Sequence, residues 1–192
     1  KEVDLTRTFR FKYGGSYHGI PVMAANMDGV GTLEVGRTLS DLDLFTCYKK
    51  DIDEKELIEE LKDNKGKHVA VTVGRNEYDY ERLARINKKA PVRNICIDVA
   101  NGYTQALVDF VKVVRRTFPK CNIIAGNVVT GEMVEELLLA GADIIKVGIG
   151  SGSVCTTRLK TGVGYPQFSC IAECADAAHG LDGHIIADGG CT

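Results

Sequence analysis

The 192-residue sequence contains no apolar run approaching the roughly 20 residues needed to cross a bilayer, and its N-terminus has neither an apolar signal core nor a cleavage site. The compartment these features point to is the cytoplasm. An excess of basic residues is also missing. With 24 Lys and Arg against 26 Asp and Glu, the net charge is -2, so neither nucleic acid nor a membrane is expected as a partner. A small anionic ligand would have to be held by local geometry. The seven cysteines, at 47, 96, 121, 155, 170, 174 and 191, are odd in number and lack C-x-x-C spacing, which argues against a disulfide framework and a zinc site. No G-x-G-x-x-G follows a strand-like run, which excludes a Rossmann dinucleotide site.

What is present is a 44% hydrophobic chain with a βα rhythm, long enough to bury one sizeable core. Short apolar runs at Pro21–Met27, Leu44–Lys49, His68–Gly74, Asn94–Ala100, Asn122–Val129, Ile144–Gly150 and His184–Gly190 predict seven strands. Helical patterns lie between them at Thr32–Ser40, Glu54–Asp63, Tyr78–Lys88, Gln105–Phe118, Glu132–Ala140 and Phe168–His179. Asp53 and Thr104 suit N-caps, and Gly141 and Gly180 suit helix ends. The pattern over Gln105–Phe118 sets Leu107, Phe110, Val111 and Val114 on one side, as expected of a helix lying outside a sheet.

Most strand starts recur every 22 to 28 residues or so, which fits a (β/α)8 TIM barrel better than an open sheet with one switch point. Seven strands do not close eight, and the polar segment Lys1–Gly19, with a turn at Tyr13–Gly15, begins without methionine. The expectation is an α/β fold: one catalytic barrel domain over residues 1–192, incomplete, truncated at both ends and without a regulatory insert. The last interval stretches to about 40 residues through a Gly/Ser/Thr-rich segment, Gly150–Gln167, after the sixth strand. Loops after strand C-termini build the active site of a barrel.

That segment contains Gly148-Ile-Gly-Ser-Gly-Ser-Val-Cys-Thr-Thr-Arg158 and Thr161-Gly-Val-Gly-Tyr-Pro-Gln167. Glycines at alternate positions let backbone amides or carbonyls turn toward a ligand. Cys155, set among hydroxyls, is a better nucleophile than a cysteine in a core strand. Cys96, and Cys170 with Cys174 one helical turn apart, read as packed thiols.

Together with Ala24-Ala-Asn-Met-Asp28, Asp98-Val-Ala-Asn-Gly-Tyr103, Ala125-Gly-Asn-Val-Val-Thr-Gly131 and Ala187-Asp-Gly-Gly190, the Cys155 loop resembles the IMP dehydrogenase/GMP reductase family, in that family's order, from about Pro21 to Thr192. Three features resemble the reductase branch: no regulatory insert after the second unit, Asn26 in the first motif, and the forms of Asp98–Tyr103 and Lys160–Pro166. The resemblance implies NADPH-dependent reductive deamination of GMP to IMP with release of ammonia, through a covalent thioimidate at Cys155. Alternatives within its reach are an IMP dehydrogenase core and a non-catalytic nucleotide-binding fragment lacking the family's flap and catalytic glutamate.

Carried over residue by residue, the resemblance makes Cys155 the nucleophile and Thr157 the assistant to the leaving group. It places Lys50 and Asp98 near the base and nicotinamide. Lys49 is adjacent to Lys50, and strand alternation lets only one of the two point inward. Ser153, Asp188, Gly189 and Gly190 would bind the nucleotide, Asp188 at the ribose hydroxyls and the others at phosphate through a hydroxyl and backbone N–H groups. Asp98, Ala100, Asn101, Gly102 and Tyr103 would line the cofactor, and Met27 and Asp28 the pocket floor. The carbonyls of Gly150, Gly152 and Cys155 match a K+ site, where Ser151 replaces a proline common in relatives, a change expected to loosen the loop. A homotetramer is implied as well.

Overall fold

Arg7–Arg10 (β1) and Ser16–Gly19 (β2) pair antiparallel, with Arg7 opposite Gly19 and Arg10 opposite Ser16. The sequence signals only the turn here, because both strands are short, largely exposed and without apolar alternation. Their aromatics hold the hairpin. Phe9 stacks on Tyr17 with centroids 6.3 Å apart, and the Tyr17 hydroxyl donates to the Ile20 carbonyl at 2.6 Å. Burial pushes that phenol up to about 12. The computed structural model describes residues 3–13, 15–99 and 102–191, which divide into two compact units: Lys1–Ile97 with Lys120–Asn122, and Asp98–Pro119 with Ile123–Thr192.

In the first unit the hairpin is followed by β3 (Met23–Ala24), α1 (Leu33–Ser40), β4 (Phe45–Tyr48), α2 (Glu54–Asp63), β5 (Val69–Val73), α3 (Glu77–Lys89) and β6 (Asn94–Asp98), which ends at the unit's boundary. Strands β3 to β6 pair in parallel and in chain order. All five residues of β5 are buried, as a strand covered on both faces requires. Helix starts follow side-chain chemistry: Thr32, Asp53 and Asn76 each accept a hydrogen bond from a first-turn amide.

The second unit carries α4 (Gln105–Thr117), most of β7 (Asn122–Val128), α5 (Gly131–Ala140), β8 (Ile144–Val147), α6 (Thr157–Thr161), α7 (Gln167–His179) and β9 (His184–Ala187). Strands β7, β8 and β9 are again parallel neighbours. Seven parallel strands alternating with helices make the chain α/β, with the repeat of an incomplete (β/α)8 barrel. Thr104 caps α4, whose buried stripe is Leu107, Val108, Val111 and Val114, while Phe110 is only half-buried. Gly141 ends α5 with φ 119°, as its lack of a Cβ allows. Gly180 ends α7 in a right-handed conformation instead, and the left-handed residue of that turn is Asp182, φ 56°.

Cys47, Cys96, Cys121, Cys170 and Cys174 are buried and in no disulfide, the last two with sulfurs 3.9 Å apart. At the N-terminal ends of the second unit's strands, the fully buried Asp143 carboxylate accepts from Arg115 at 2.6 Å and from the Ile123 amide at 2.8 Å. No helix among the described residues is long and apolar enough to cross a membrane.

Candidate active site

Four side chains meet at the C-terminal ends of β6 to β9. Asp98 is the last residue of β6, and Asp188 follows β9 directly. Between them stands Lys146 on β8, 3% exposed, with its ammonium 3.4 Å from Asp98 Oδ1 and 3.4 Å from Asp188 Oδ2. Asn127 completes the set. Its amide donates to Asp188 Oδ2 at 2.8 Å and to the Gly148 carbonyl at 2.9 Å.

Local backbone irregularity makes this possible. Gly126 pairs with Lys146 and Val128 with Val147, so Asn127 is an extra residue on β7, and such a bulge turns its side chain off the regular pleat. Gly126 has to be glycine because a Cβ would stand 2.5 Å from the Lys146 carbonyl oxygen. At Gly148, with φ 134°, a Cβ would lie 2.5 Å from the Asp188 carbonyl oxygen.

The loop after β8 presents the thiol. Cys155 is exposed, and its sulfur lies in a hydrogen bond 3.2 Å from Thr157 Oγ1. That hydroxyl and the Thr157 backbone hold the thiol below the ordinary cysteine value, with the Arg158 charge adding to the effect. The sequence reads this stretch as a loop, but Thr157–Thr161 forms the short helix α6 two residues after the cysteine. Ser151 does not loosen the segment. It is 7% exposed, its hydroxyl donates to the Asp188 carbonyl at 2.6 Å, and its own carbonyl accepts from the Gly190 N–H at 3.1 Å. The Gly190 N–H is therefore engaged within the protein. Gly189, with φ 101°, lies against Ser151, and Ser153 is exposed.

The three carbonyls expected at the K+ site lie on the loop that follows β8, and oxygen donors of this kind suit an alkali ion. Among the contacts already present, Gly150 accepts from Arg158 Nε at 2.7 Å, and Gly152 accepts from the Cys155 N–H at 3.0 Å. Each carbonyl oxygen has a second lone pair, so the donor set still fits. No cluster of three or more His, Cys, Asp or Glu side chains able to hold a metal ion occurs among the described residues.

Tyr103 is 42% exposed, and its phenol oxygen accepts from the Val129 amide at 2.9 Å and meets Thr130 Oγ1 at 3.2 Å, so the hydroxyl fastens the end of β7. Gly102 is buried against the Asn127 carbonyl. Ala100 and Asn101 lie outside the described residues. In the first unit, Lys50 pairs with Asp79 at 3.6 Å, whereas Lys49 pairs with Asp28 at 3.0 Å and Asp51 at 3.3 Å. Hydrogen bonds to Asp28 and Asp51 hold the Lys49 ammonium above the ordinary lysine value. The two lysines thus take separate partners. Met27 is 57% exposed and not packed.

Residues 17–192 match the model of the IMP dehydrogenase / GMP reductase domain. The chain belongs to the IMP dehydrogenase/GMP reductase family. It is 57% identical over 195 residues to "GMP reductase 1" of Mus musculus, 56% identical to "GMP reductase 2" of Homo sapiens and 54% identical over 196 residues to "GMP reductase" of Tolumonas auensis. Each alignment covers all of this chain and 56% of the relative, so the chain spans about half the length of these curated relatives.

As a member of the IMP dehydrogenase/GMP reductase family, the chain carries two residues at this edge that sequence reasoning passed over, Lys146 and Asn127. Lys146 has a visible signal, a single charge within Ile144-Ile-Lys-Val147. Asn127 lies within the Ala125–Gly131 motif, but the bulge that turns its side chain arises from strand pairing, so the motif alone gave it no role.

Proposed function

We propose that the protein reduces GMP to IMP with NADPH and releases ammonia, using Cys155 as nucleophile. The observation that carries this reading is the exposed Cys155 thiol, depressed by Thr157 at 3.2 Å, on the loop that follows β8. The Cys155 thiolate attacks C2 of the guanine, a C–S bond forms, the C–N bond to the exocyclic amine breaks, and ammonia leaves carrying its added proton. NADPH supplies hydride to C2 when bound. Breakage of the C–S bond then returns the thiolate and frees IMP, so one difficult displacement is divided into two easier ones.

Thr157 Oγ1, next to the sulfur, is suited to hand the amine its proton. Lys50 and Asp98 are the further acid–base candidates. The Asp188 carboxylate would accept ribose hydroxyls, with Ser153 and the Gly189 and Gly190 turn beside the phosphate. Asp98, Ala100, Asn101, Gly102 and Tyr103 would border the nicotinamide. A K+ ion on the carbonyls of Gly150, Gly152 and Cys155 would hold the loop's turn and supply no redox chemistry. Resemblance to the family also supports a cytoplasmic homotetramer.

The test is loss of NADPH absorbance on mixing the full-length protein with GMP, beside Cys155→Ala and a parallel assay with IMP and NAD+. GMP-dependent NADPH loss, abolished in Cys155→Ala, is the expected result. NADH formation from IMP without the GMP reaction would replace this reading by the dehydrogenase.

A further inference from the structure

Lys146 is the most deeply buried charge at this edge, and its side chain is 4% exposed on a strand whose neighbours are Ile144, Ile145 and Val147. An ammonium stripped of water is tolerable only when paired. Here it is shared at equal distance, 3.4 Å to Asp98 and 3.4 Å to Asp188, whose side chains are 39% and 35% exposed. Both of those carboxylates reach the surface while the cation between them does not.

Asp188 is held on several sides. Oδ2 receives Asn127 at 2.8 Å and faces Lys146, and its carbonyl oxygen receives Ser151 at 2.6 Å and Gln167 at 3.3 Å. With Oδ2 fixed by two donors, Oδ1 remains to accept a ligand hydroxyl. Asp98 has its Oδ1 on the same ammonium. Any shift of negative charge or position at one carboxylate changes the share of Lys146 left to the other.

We propose that Lys146 is a positioning residue that couples the ribose-binding carboxylate, Asp188, to the carboxylate at the reacting edge, Asp98, so that nucleotide binding sets the geometry for hydride transfer. The inference rests on the function proposed above. Removal of the cation takes from two carboxylates the partner they share, so both subsites lose their geometry together. Loss of a contact that served only binding would raise KM alone, and loss of one made only in the transition state would lower kcat alone.

The test uses the full-length protein with Lys146→Met, which removes the charge at similar length, and Lys146→Arg, which keeps it. Lys146→Met should raise the GMP KM and the GMP Kd measured without cofactor by at least about tenfold, and also lower kcat by at least about tenfold. The alkylation rate of Cys155 should stay within about twofold, since that thiol is held by Thr157, and Lys146→Arg should recover most of the loss. A folded Lys146→Met protein with KM and kcat within about twofold of the parent overturns the proposal, as does Lys146→Arg failing as badly as Lys146→Met. Should Lys146→Met not fold, the nitrogen resonance of the Lys146 ammonium in the parent decides: it must move on adding GMP alone and again on adding NADP+ alone, and immobility to either sinks the coupling. A parent that consumes no NADPH with GMP would refute the proposed reaction, whereas an active parent matched by Lys146→Met would refute only the coupling.

Discussion

Replacement of Arg115 by methionine tests the end of the second unit remote from the candidate site. Arg115 donates to Asp143 Oδ2 at 2.6 Å, to the Gly141 carbonyl at 2.8 Å and to the Pro119 carbonyl at 3.2 Å. Its side chain is 11% exposed and that of Asp143 is fully buried. Methionine fills much of the stem's space but leaves the carboxylate with the Ile123 amide and without its cation. Breaking a buried pair costs about 3–5 kcal/mol, and the slight exposure of Arg115 argues for the lower end, about 3 kcal/mol. For a domain of this size each kcal/mol moves Tm by about 2–4 °C, so Tm should fall by about 6–12 °C. Urea unfolding and a thermal scan of the purified protein read both quantities. Asp143→Asn on the Arg115→Met background should recover part of the loss by removing the uncompensated charge. A loss under about 1 kcal/mol for Arg115→Met would refute the premise that this pair is sealed from water.

Alkylation of Cys155 by iodoacetamide should follow a pH curve centred below that of an ordinary cysteine, because the lowered pKa leaves more thiolate at neutral pH. Thr157→Val should move the curve upward, and a midpoint equal to that of an unstructured cysteine peptide would contradict the Thr157 contact. Asp53 accepts from the Lys55 amide at 2.9 Å and the Glu56 amide at 3.2 Å at the start of α2, so Asp53→Ala should destabilise the protein by about 1 kcal/mol in urea. An unchanged midpoint would mean that water replaces the cap without loss.

The repeat of strands and helices was legible because apolar periodicity and caps such as Asp53 and Thr104 are local properties of the chain. The β1–β2 hairpin was not, since its strands carry one aromatic each and pair across polar, exposed surface. Helix α6 was hidden in a loop rich in Gly, Ser and Thr, residues that favour turns in isolation. In the candidate site, Cys155 stood out by its surroundings, and Asp98 and Asp188 by the resemblance of their motifs to the family. Lys146 drew no reading within its apolar strand, and its meaning comes only from the two carboxylates that folding brings to it. Ser151 was read as a relaxation of the loop because a proline's stiffness was missing. Its hydroxyl instead fastens the loop to the residue after β9.

Burial of Lys146 also bears on ionic strength. Dissolved ions screen charges that water can reach, over about 8 Å at physiological salt, and act much less on the buried Lys146, 3% exposed, than on a surface charge. Arg158, which bears on Cys155 from an exposed helix, has no such shelter. Salt should therefore divide the site into a thiol whose reactivity drifts with the buffer and a buried Lys146 whose pairing with Asp98 and Asp188 drifts less.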